Sequence, residues 1–410
     1  MQAGRCHVTS EDLNTELMDS AAPVELLRLD EFSPALAASP DEAAEVRRRF
    51  ETLLLPLAAT GAKRHTSSAN HVYKALNTQG QELAVKVLTP VCAEKDGDVT
   101  EEQAQEQNRT RMAAFLEEYR SLVTLTNLKG FPRVYGMGTV GEASLIVMEW
   151  VEGITLAELM TQLPASTRAD ADGTRRHCIR PDVVADIMLS VLSVLEGTRA
   201  LDRTFTHRDL SPRNILVRTS RLGLKQQLES GAYDVMLVDL GSSLVQQEDE
   251  PTFTMRQRAW RFGTAEYAAP EMLTRDIEHV EELRRSETVD TYALCSIAYQ
   301  MLTGCTPFGL SKHAVISPYL AKMDEKPKEL PCGERGSELL RITLRGMRAA
   351  QSERYSLSGL DTAVREWKTA DSKGTAGAPG KTLGRLALLA TGAAVAVGGA
   401  AASLLRRRRS

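Results

Sequence analysis

The stretch of sequence that decides the fold lies at residues 207–214 and reads HRDLSPRN. It places Asp209 five residues before Asn214, and a second aspartate, Asp239, opens the triplet DLG twenty-five residues further on. Phosphoryl transfer needs a carboxylate to orient the attacking hydroxyl and oxygen ligands for metal ions. Each motif alone is common by chance, but the ordered set is not. We therefore predict that this part of the chain carries a phosphoryl-transfer site.

Strand-like and helical patterns divide the chain around this stretch into two parts. Two apolar runs flank a turn at Gly80, as in a β-hairpin, and residues 143–151 form a further buried strand. Beyond residue 155 the pattern is mainly helical, most clearly at 182–202, 290–303 and 336–349. A β-rich part followed by an α-rich part predicts an α+β fold with two lobes and a cleft between them.

The motifs at 207–214 and 239–241 resemble the catalytic loop and the metal-binding triplet of eukaryotic-like (Hanks-type) Ser/Thr protein kinases. The resemblance implies the two-lobed protein-kinase fold, with ATP and Mg²⁺ as cofactors. It implies that Asp209 orients the hydroxyl of a protein substrate, while Asn214 and Asp239 hold the metal. Lys86, in the run Ala-Val-Lys, would contact the phosphates.

In this family a glutamate on the helix after the lysine strand pairs with the lysine. Glu117 and Glu118 both qualify by position. Glu118 lies three residues after Phe115 and four before Leu122, which places it at the inward edge of the predicted helix. We therefore select Glu118.

The resemblance extends to nucleotide-binding positions at the end of the 143–151 strand, which are Glu149 and Val151. It also implies a buried ion pair between Glu271 and Arg354. By the same resemblance, Asp290 would restrain the backbone of the catalytic loop.

The segment GTAEYAAPE at 263–271 resembles the end of a kinase activation segment. Its threonine is typical of Ser/Thr rather than Tyr kinases. The segment as a whole argues against a small-molecule kinase, because such enzymes generally lack this platform for protein substrates.

Three features depart from the family pattern. The glycine positions of the phosphate-binding loop fall on His65, Ser67 and Asn70, although glycines there let backbone N–H groups approach phosphates closely. Ser211 stands where a lysine is usual, and Leu240 replaces a phenylalanine. Two alternatives therefore stay open: an active kinase, and a pseudokinase that serves as a membrane scaffold.

Composition limits the classes of partner and compartment. The 410 residues carry a net charge of −4, which gives no electrostatic reason to expect nucleic acid as a partner. Six scattered cysteines contain no CxxC pair, so we expect a reducing compartment and neither a disulfide framework nor a zinc site.

The chain is predicted to have five parts. They are an amino-terminal extension (1–50), a kinase domain (51–369), a flexible linker (370–385), a transmembrane helix (386–405) and a basic tail (406–410).

The predicted transmembrane helix is a run of twenty uncharged, mostly apolar residues, which would be about 30 Å long. A disordered tail and a peripheral helix stay open as alternatives. Gly392, Ala396 and Ala400 share one face, which favours self-association of such helices. The prediction is a single-pass anchor in a lipid bilayer, with the catalytic domain in the cytosol, where ATP is available.

Overall fold

The computed structural model describes residues 25–55, 63–66, 70–91, 100–163, 165–169, 175–240, 265–274, 277–310, 317–330 and 332–374. The chain divides after Thr369 into two compact units. Of the second unit only residues 370–374 are described, as the end of a helix.

An antiparallel sheet forms the amino-terminal lobe. Its strands are β1 (Glu25–Arg28), β2 (Glu31–Pro34), β3 (Thr52–Leu55), β4 (Lys63–Thr66), β5 (Asn70–Asn77), β6 (Glu82–Leu88), β7 (Val134–Val140) and β8 (Ala143–Glu149). They lie in the order β1-β3-β5-β6-β8-β7-β2, and β4 pairs with β5. β5 and β6 form the predicted hairpin, in which Gly80 adopts a positive φ of 78°. The register sets Lys86 in a central strand, opposite Ile146 of β8.

The sheet begins before residue 51, where the sequence analysis placed the start of the domain. β1 pairs with β3, and β2 pairs with β7. Helix α1 (Pro40–Phe50) follows β2 in the chain, and Ser39 caps its start by accepting a hydrogen bond from the N–H of Glu42. It ends in Phe50, which is buried and stacks on Tyr135. Two four-residue strands are too short to give a clear alternating pattern, so their pairing was not predicted.

Helix α2 (Glu101–Leu125) carries the glutamate pair. It starts with a capping box in which Thr100 and Gln103 exchange hydrogen bonds. Its buried positions include Phe115, Glu118 and Leu122, so the 3.6-residue period directs Glu118 toward the sheet.

The second lobe is mainly helical. Its helices are α3 (Leu156–Gln162), α4 (Pro181–Leu201), α5 (Leu224–Ser230), α6 (Pro270–Leu273), α7 (Ile277–Arg284), α8 (Thr288–Thr303), α9 (Pro318–Asp324), α10 (Glu334–Gly346) and α11 (Leu357–Gly374). The apolar helices α4 and α8 supply much of its core.

Two small sheets complete this lobe. A three-stranded sheet joins β9 (Gly153–Thr155), β12 (Ile215–Arg218) and β13 (Val235–Leu237). The hairpin of β10 (Ala165–Ala169) and β11 (Arg175–Ile179) was not predicted.

The predicted α+β architecture with a β-rich lobe and a helical lobe is confirmed. None of the described helices has the length and apolar composition that crossing a membrane requires. The segment predicted to do so, 386–405, lies outside the described residues.

Candidate active site

A cleft between the two lobes brings together five of the residues selected from the sequence. Lys86 of β6, Glu118 of α2, Glu149 at the end of β8, Val151 just after it and Asp239 all line this cleft. The remaining wall is mostly apolar and includes Val72, Ala84, Leu122, Met148 and Leu216. An apolar cavity with a few convergent polar groups is the usual form of a small-molecule site.

Lys86 lies between two carboxylates at the inner end of the cleft. Its side chain is buried, and its Nζ donates hydrogen bonds to Oε1 of Glu118 and, at 3.0 Å, to Oδ1 of Asp239. Burial opposes the charge on this lysine, but the carboxylates of Asp239 and Glu118 outweigh it and raise the lysine pKa above its ordinary value. The structure therefore keeps a charged ammonium at the base of the cleft, and it places Glu118 rather than Glu117 against it.

The catalytic-loop residues connect to this group through short contacts. Nδ2 of Asn214 donates to the backbone oxygen of Asp209 at 2.8 Å and to its Oδ2 at 3.3 Å. The backbone oxygen of Asn214 accepts from the N–H of Val238 at 3.0 Å, next to Asp239 in the chain. Hydrogen bonds and the Val238–Asp239 peptide bond therefore connect Asp209 and Asn214 with the group of Asp239, Lys86 and Glu118.

Asp290 holds the strained backbone of the catalytic loop. Its Oδ2 and Oδ1 accept hydrogen bonds, both of 2.8 Å, from the N–H groups of His207 and Arg208. Arg208 adopts a φ of 67°, an unfavourable backbone region for a non-glycine residue. Burial of the Asp290 carboxyl raises its pKa to about 6, although both backbone hydrogen bonds act in the opposite direction.

A buried ion pair joins two segments far apart in the chain. Arg354 donates from Nη1 and Nη2 to the two carboxylate oxygens of Glu271, at 2.6 and 2.9 Å. Both side chains are almost fully inaccessible. The structure thus contains the contact that the family resemblance implied for these residues.

Lys322 of α9 is a residue that sequence reasoning missed. It is buried, and its Nζ donates to the backbone oxygens of Glu266 and Ala268, at 3.0 and 2.7 Å. It therefore fixes the described end of the segment GTAEYAAPE. Burial lowers the pKa of Lys322 to about 7. The lysine lies in a short helix with no motif, so the sequence held no signal for this role.

Four positions of the family motifs lie outside the described residues: Ser67 of the phosphate-binding loop, Gly241 of the DLG triplet, and Gly263 and Thr264 of the segment GTAEYAAPE. His65 and Asn70 are described only as backbone positions of β4 and β5. Ser211 is buried, as are Leu240 and Asn214.

Comparison with known proteins gives the class. The model of the protein kinase domain matches residues 68–357, well over half of the chain. The chain therefore belongs to the protein kinase family.

The relatives are bacterial enzymes that are longer than the matched region. Serine/threonine-protein kinase PknL of Mycobacterium tuberculosis is 29% identical over 249 residues, which cover 60% of this chain and 49% of PknL. PknD of the same species is 27% identical over 232 residues, covering 56% of this chain and 29% of PknD. PkaB of Streptomyces coelicolor is 30% identical over 171 residues, covering 41% and 33%. The chain thus spans about half the length of these relatives, or less.

Among solved structures, that of Rad53 1-466 in complex with AMP-PNP matches with a TM-score of 0.46 at 18% identity, and it covers 75% of this chain and 64% of that one.

Proposed function

We propose that this protein is a Ser/Thr protein kinase that transfers the γ-phosphate of ATP to protein hydroxyls. The proposal rests on a series of hydrogen bonds that begins at Asp209 and Asn214 and continues from the Asn214 carbonyl to the N–H of Val238. The next residue, Asp239, then accepts from Lys86 of the buried pair with Glu118. Family membership supports it, and the names of the bacterial relatives favour Ser/Thr substrates.

The donor set in the cleft fits ATP with Mg²⁺. A carboxylate and an amide oxygen, on Asp239 and Asn214, are the hard ligands that Mg²⁺ prefers, and Mg²⁺ ordinarily completes its shell with water and phosphate oxygens. Such a site needs few protein ligands, because the phosphates and water supply the rest. The apolar wall and the backbone near Glu149 and Val151 suit a flat aromatic base.

Each residue has a distinct part in the proposed reaction. When bound, Mg²⁺ neutralises charge that develops on the phosphates. Lys86 supplies a fixed cation for the phosphates, and Glu118 sets its position. Asp209 accepts the hydrogen bond of the substrate hydroxyl and orients it for attack, while Asn214 restrains the Asp209 carboxylate.

A pseudokinase scaffold is the alternative function. It is favoured by His65, Ser67 and Asn70, which replace the glycines of the phosphate-binding loop, and by Ser211. These changes affect phosphate contacts and leave the polar residues of the cleft in place.

A comparison of three proteins separates the two functions. Wild type should phosphorylate itself or a generic protein substrate in Mg²⁺-ATP. Asp209→Asn should still bind a fluorescent ATP analogue but lose most transfer, because the hydroxyl is no longer oriented. Asp239→Ala should also lose Mg²⁺-dependent nucleotide binding. Equal transfer by wild type and Asp209→Asn would contradict the assignment, and nucleotide binding without transfer by wild type would favour the scaffold.

We also propose that the kinase acts at a membrane surface. The support is the sequence at 386–405, which would span a bilayer as a helix, preceded by the linker-like composition at 370–385. Such a linker would confine a cytosolic kinase domain near membrane proteins and raise its effective concentration toward them. The small-residue face of Gly392, Ala396 and Ala400 would let two such helices associate.

Fractionation tests this location. Full-length protein should sediment with membranes and resist carbonate extraction, whereas a protein truncated after Gly374 should be soluble and keep its activity on a peptide. Recovery of the full-length protein in the soluble fraction would contradict the anchor and leave the proposed kinase activity unaffected.

A further inference from the structure

A second concave site lies outside the cleft that holds Lys86. The loop 126–131 forms one side of it, and Glu149, at the end of β8, borders it. Four cationic side chains also line it: Lys129, Arg133, Arg218 and Arg221. Glu149 is the one carboxylate among the lining residues. We call this site the basic pocket.

The charges in the basic pocket are not balanced. Arg218 is buried and forms a bidentate pair with Asp234, at 2.8 and 3.0 Å, and its Nη1 lies 3.8 Å from Oε1 of Glu149. Lys129, Arg133 and Arg221 form no ion pair with any residue that the structure describes. Like charges gathered in one concavity repel, and a bound anion relieves that repulsion.

The segments that carry these cations are held firmly. Gly130 adopts a φ of 96°, and a Cβ there would lie 2.5 Å from the side chain of Val194. Its carbonyl accepts from the N–H of Leu237 at 2.7 Å. On the other side, the buried amide of Gln227 donates to the backbone oxygens of Arg218 and Leu222. Fixed backbone on both sides lowers the entropy cost of binding.

We propose that the basic pocket binds an anion carrying phosphoryl groups and that its occupancy is transmitted to the nucleotide cleft through Glu149. Arginine guanidinium groups match phosphate oxygens in bidentate geometry, and the lysine adds a point charge. The phosphoryl group can come from an inorganic polyphosphate or from a phosphorylated Ser or Thr side chain.

Glu149 provides the connection because it borders both sites. Its Oε2 accepts from the N–H of Arg133 at 3.1 Å, and its own N–H donates to the Arg133 carbonyl at 2.7 Å. An anion bound to Arg133 and Arg218 repels the Glu149 carboxylate and competes for its partners. The position of the end of β8, and with it the shape of the nucleotide cleft, then depends on whether an anion occupies the basic pocket.

Calorimetric titration of the full-length protein at constant ionic strength tests the binding. One arm uses sodium tripolyphosphate, and the other uses a phosphothreonine peptide beside its unphosphorylated form. The double variant Lys129→Ala/Arg221→Ala should weaken binding about tenfold or more, since two charge-assisted contacts are lost. The control Arg120→Ala/Lys225→Ala removes the same charge from exposed positions outside the pocket and should leave affinity unchanged.

The titrations distinguish a phosphorylated protein from a small phosphate as the ligand. Tighter binding of the phosphopeptide than of its unmodified form identifies a phosphorylated protein as the ligand, and binding of tripolyphosphate alone identifies a small phosphate. Absence of binding in both arms, or equal losses in pocket and control variants, would overturn the proposal. Lys86→Met should retain tripolyphosphate binding, because that lysine lies in the other cleft; its loss would place the anion there instead.

The coupling is tested by measuring the affinity for a fluorescent ATP analogue with and without tripolyphosphate. By reciprocity, the pocket ligand should change nucleotide affinity in wild type and not in Lys129→Ala/Arg221→Ala. An identical effect in both proteins would mean direct competition in the nucleotide cleft and would overturn the coupling. No step of these measurements needs phosphotransfer, so their failure is distinct from failure of the proposed kinase activity.

Discussion

Removing one partner of the ion pair between Glu271 and Arg354 tests how strongly this fold depends on a buried charge. The pair is bidentate, at 2.6 and 2.9 Å, and the Arg354 side chain is fully inaccessible. In Glu271→Met the guanidinium keeps its bonds to the backbone oxygens of Arg348 and Ala349 but loses its counter-charge. Leaving a buried charge without its partner costs about 3–5 kcal/mol, and the two carbonyls offset part of that cost. We therefore expect Glu271→Met to lower the free energy of unfolding by about 3 kcal/mol.

The chain offers a bidentate control at the surface with the same two donor–acceptor distances, although Arg365 donates from Nε and Nη2. Arg365 donates to the two carboxylate oxygens of Asp361, also at 2.6 and 2.9 Å, but its side chain is 58% exposed. Exposed pairs contribute about 0.2–1 kcal/mol. Asp361→Ala should therefore lower the free energy of unfolding by less than a third as much as Glu271→Met, although the hydrogen bonds that are lost have equal lengths.

Urea unfolding followed by tryptophan fluorescence measures both effects, and double-mutant cycles isolate each pair. The cycle through Glu271→Met, Arg354→Met and the double variant should give a coupling energy of about 2 kcal/mol or more, whereas the surface cycle should stay below about 1 kcal/mol. In a thermal melt, Glu271→Met should lower Tm by about 6 °C. Equal coupling energies in the two cycles would refute the reasoning that burial sets the strength of this contact.

Three further predictions follow from named contacts. Glu118→Gln should lower the rate of phosphotransfer at least about tenfold, because Lys86 loses a charged partner. Glu117→Gln should leave the rate near that of wild type in the same assay. Equal rates for the two variants would contradict the choice of Glu118 as the partner of Lys86. Burial raises the pKa of Asp290 from 3.8 to about 6, so the folded state binds this proton more tightly than the unfolded state. The stability gained from that proton is complete below about pH 4 and is lost as the pH rises through about 6. Wild type should thus lose about 3 kcal/mol relative to Asp290→Asn between pH 4 and 7 in urea titrations, and a constant difference would exclude this linkage. Gly130→Ala should destabilise the protein by about 1–3 kcal/mol in the same titrations, because its φ is positive and a methyl group would meet a side chain of α4; an unchanged midpoint would show that the loop relaxes freely.

The residues proposed for catalysis could be selected from the sequence because the proposed chemistry fixes their types and their spacing. Asp209 and Asn214 lie on one short loop, so five residues of separation already bring an amide within reach of a carboxylate. The choice of Glu118 over Glu117 also followed from local geometry, since the period of a helix decides which neighbour faces the sheet.

Other parts of the fold gave no such signal. β1 and β2 are strands of four residues, and their partners β3 and β7 lie far along the chain. Lys322 looks like an ordinary helical lysine, and only the packing of α9 beside residues 265–269 shows that its ammonium holds two backbone carbonyls. Such contacts depend on which segments meet, and this is a property of the whole packed core.

The sequence by itself determined the family, the order of the lobes and five of the residues that line the cleft between them. Those features rest on residue types at short, fixed separations, which a helix, a loop or a strand converts directly into geometry. Only the tertiary structure decided that Lys129 and Arg221, ninety-two residues apart, share one pocket with Glu149. The physical reason is that the packing of the core sets which distant segments lie close together. Exposed cations form no sequence pattern from which their spatial neighbours could be predicted.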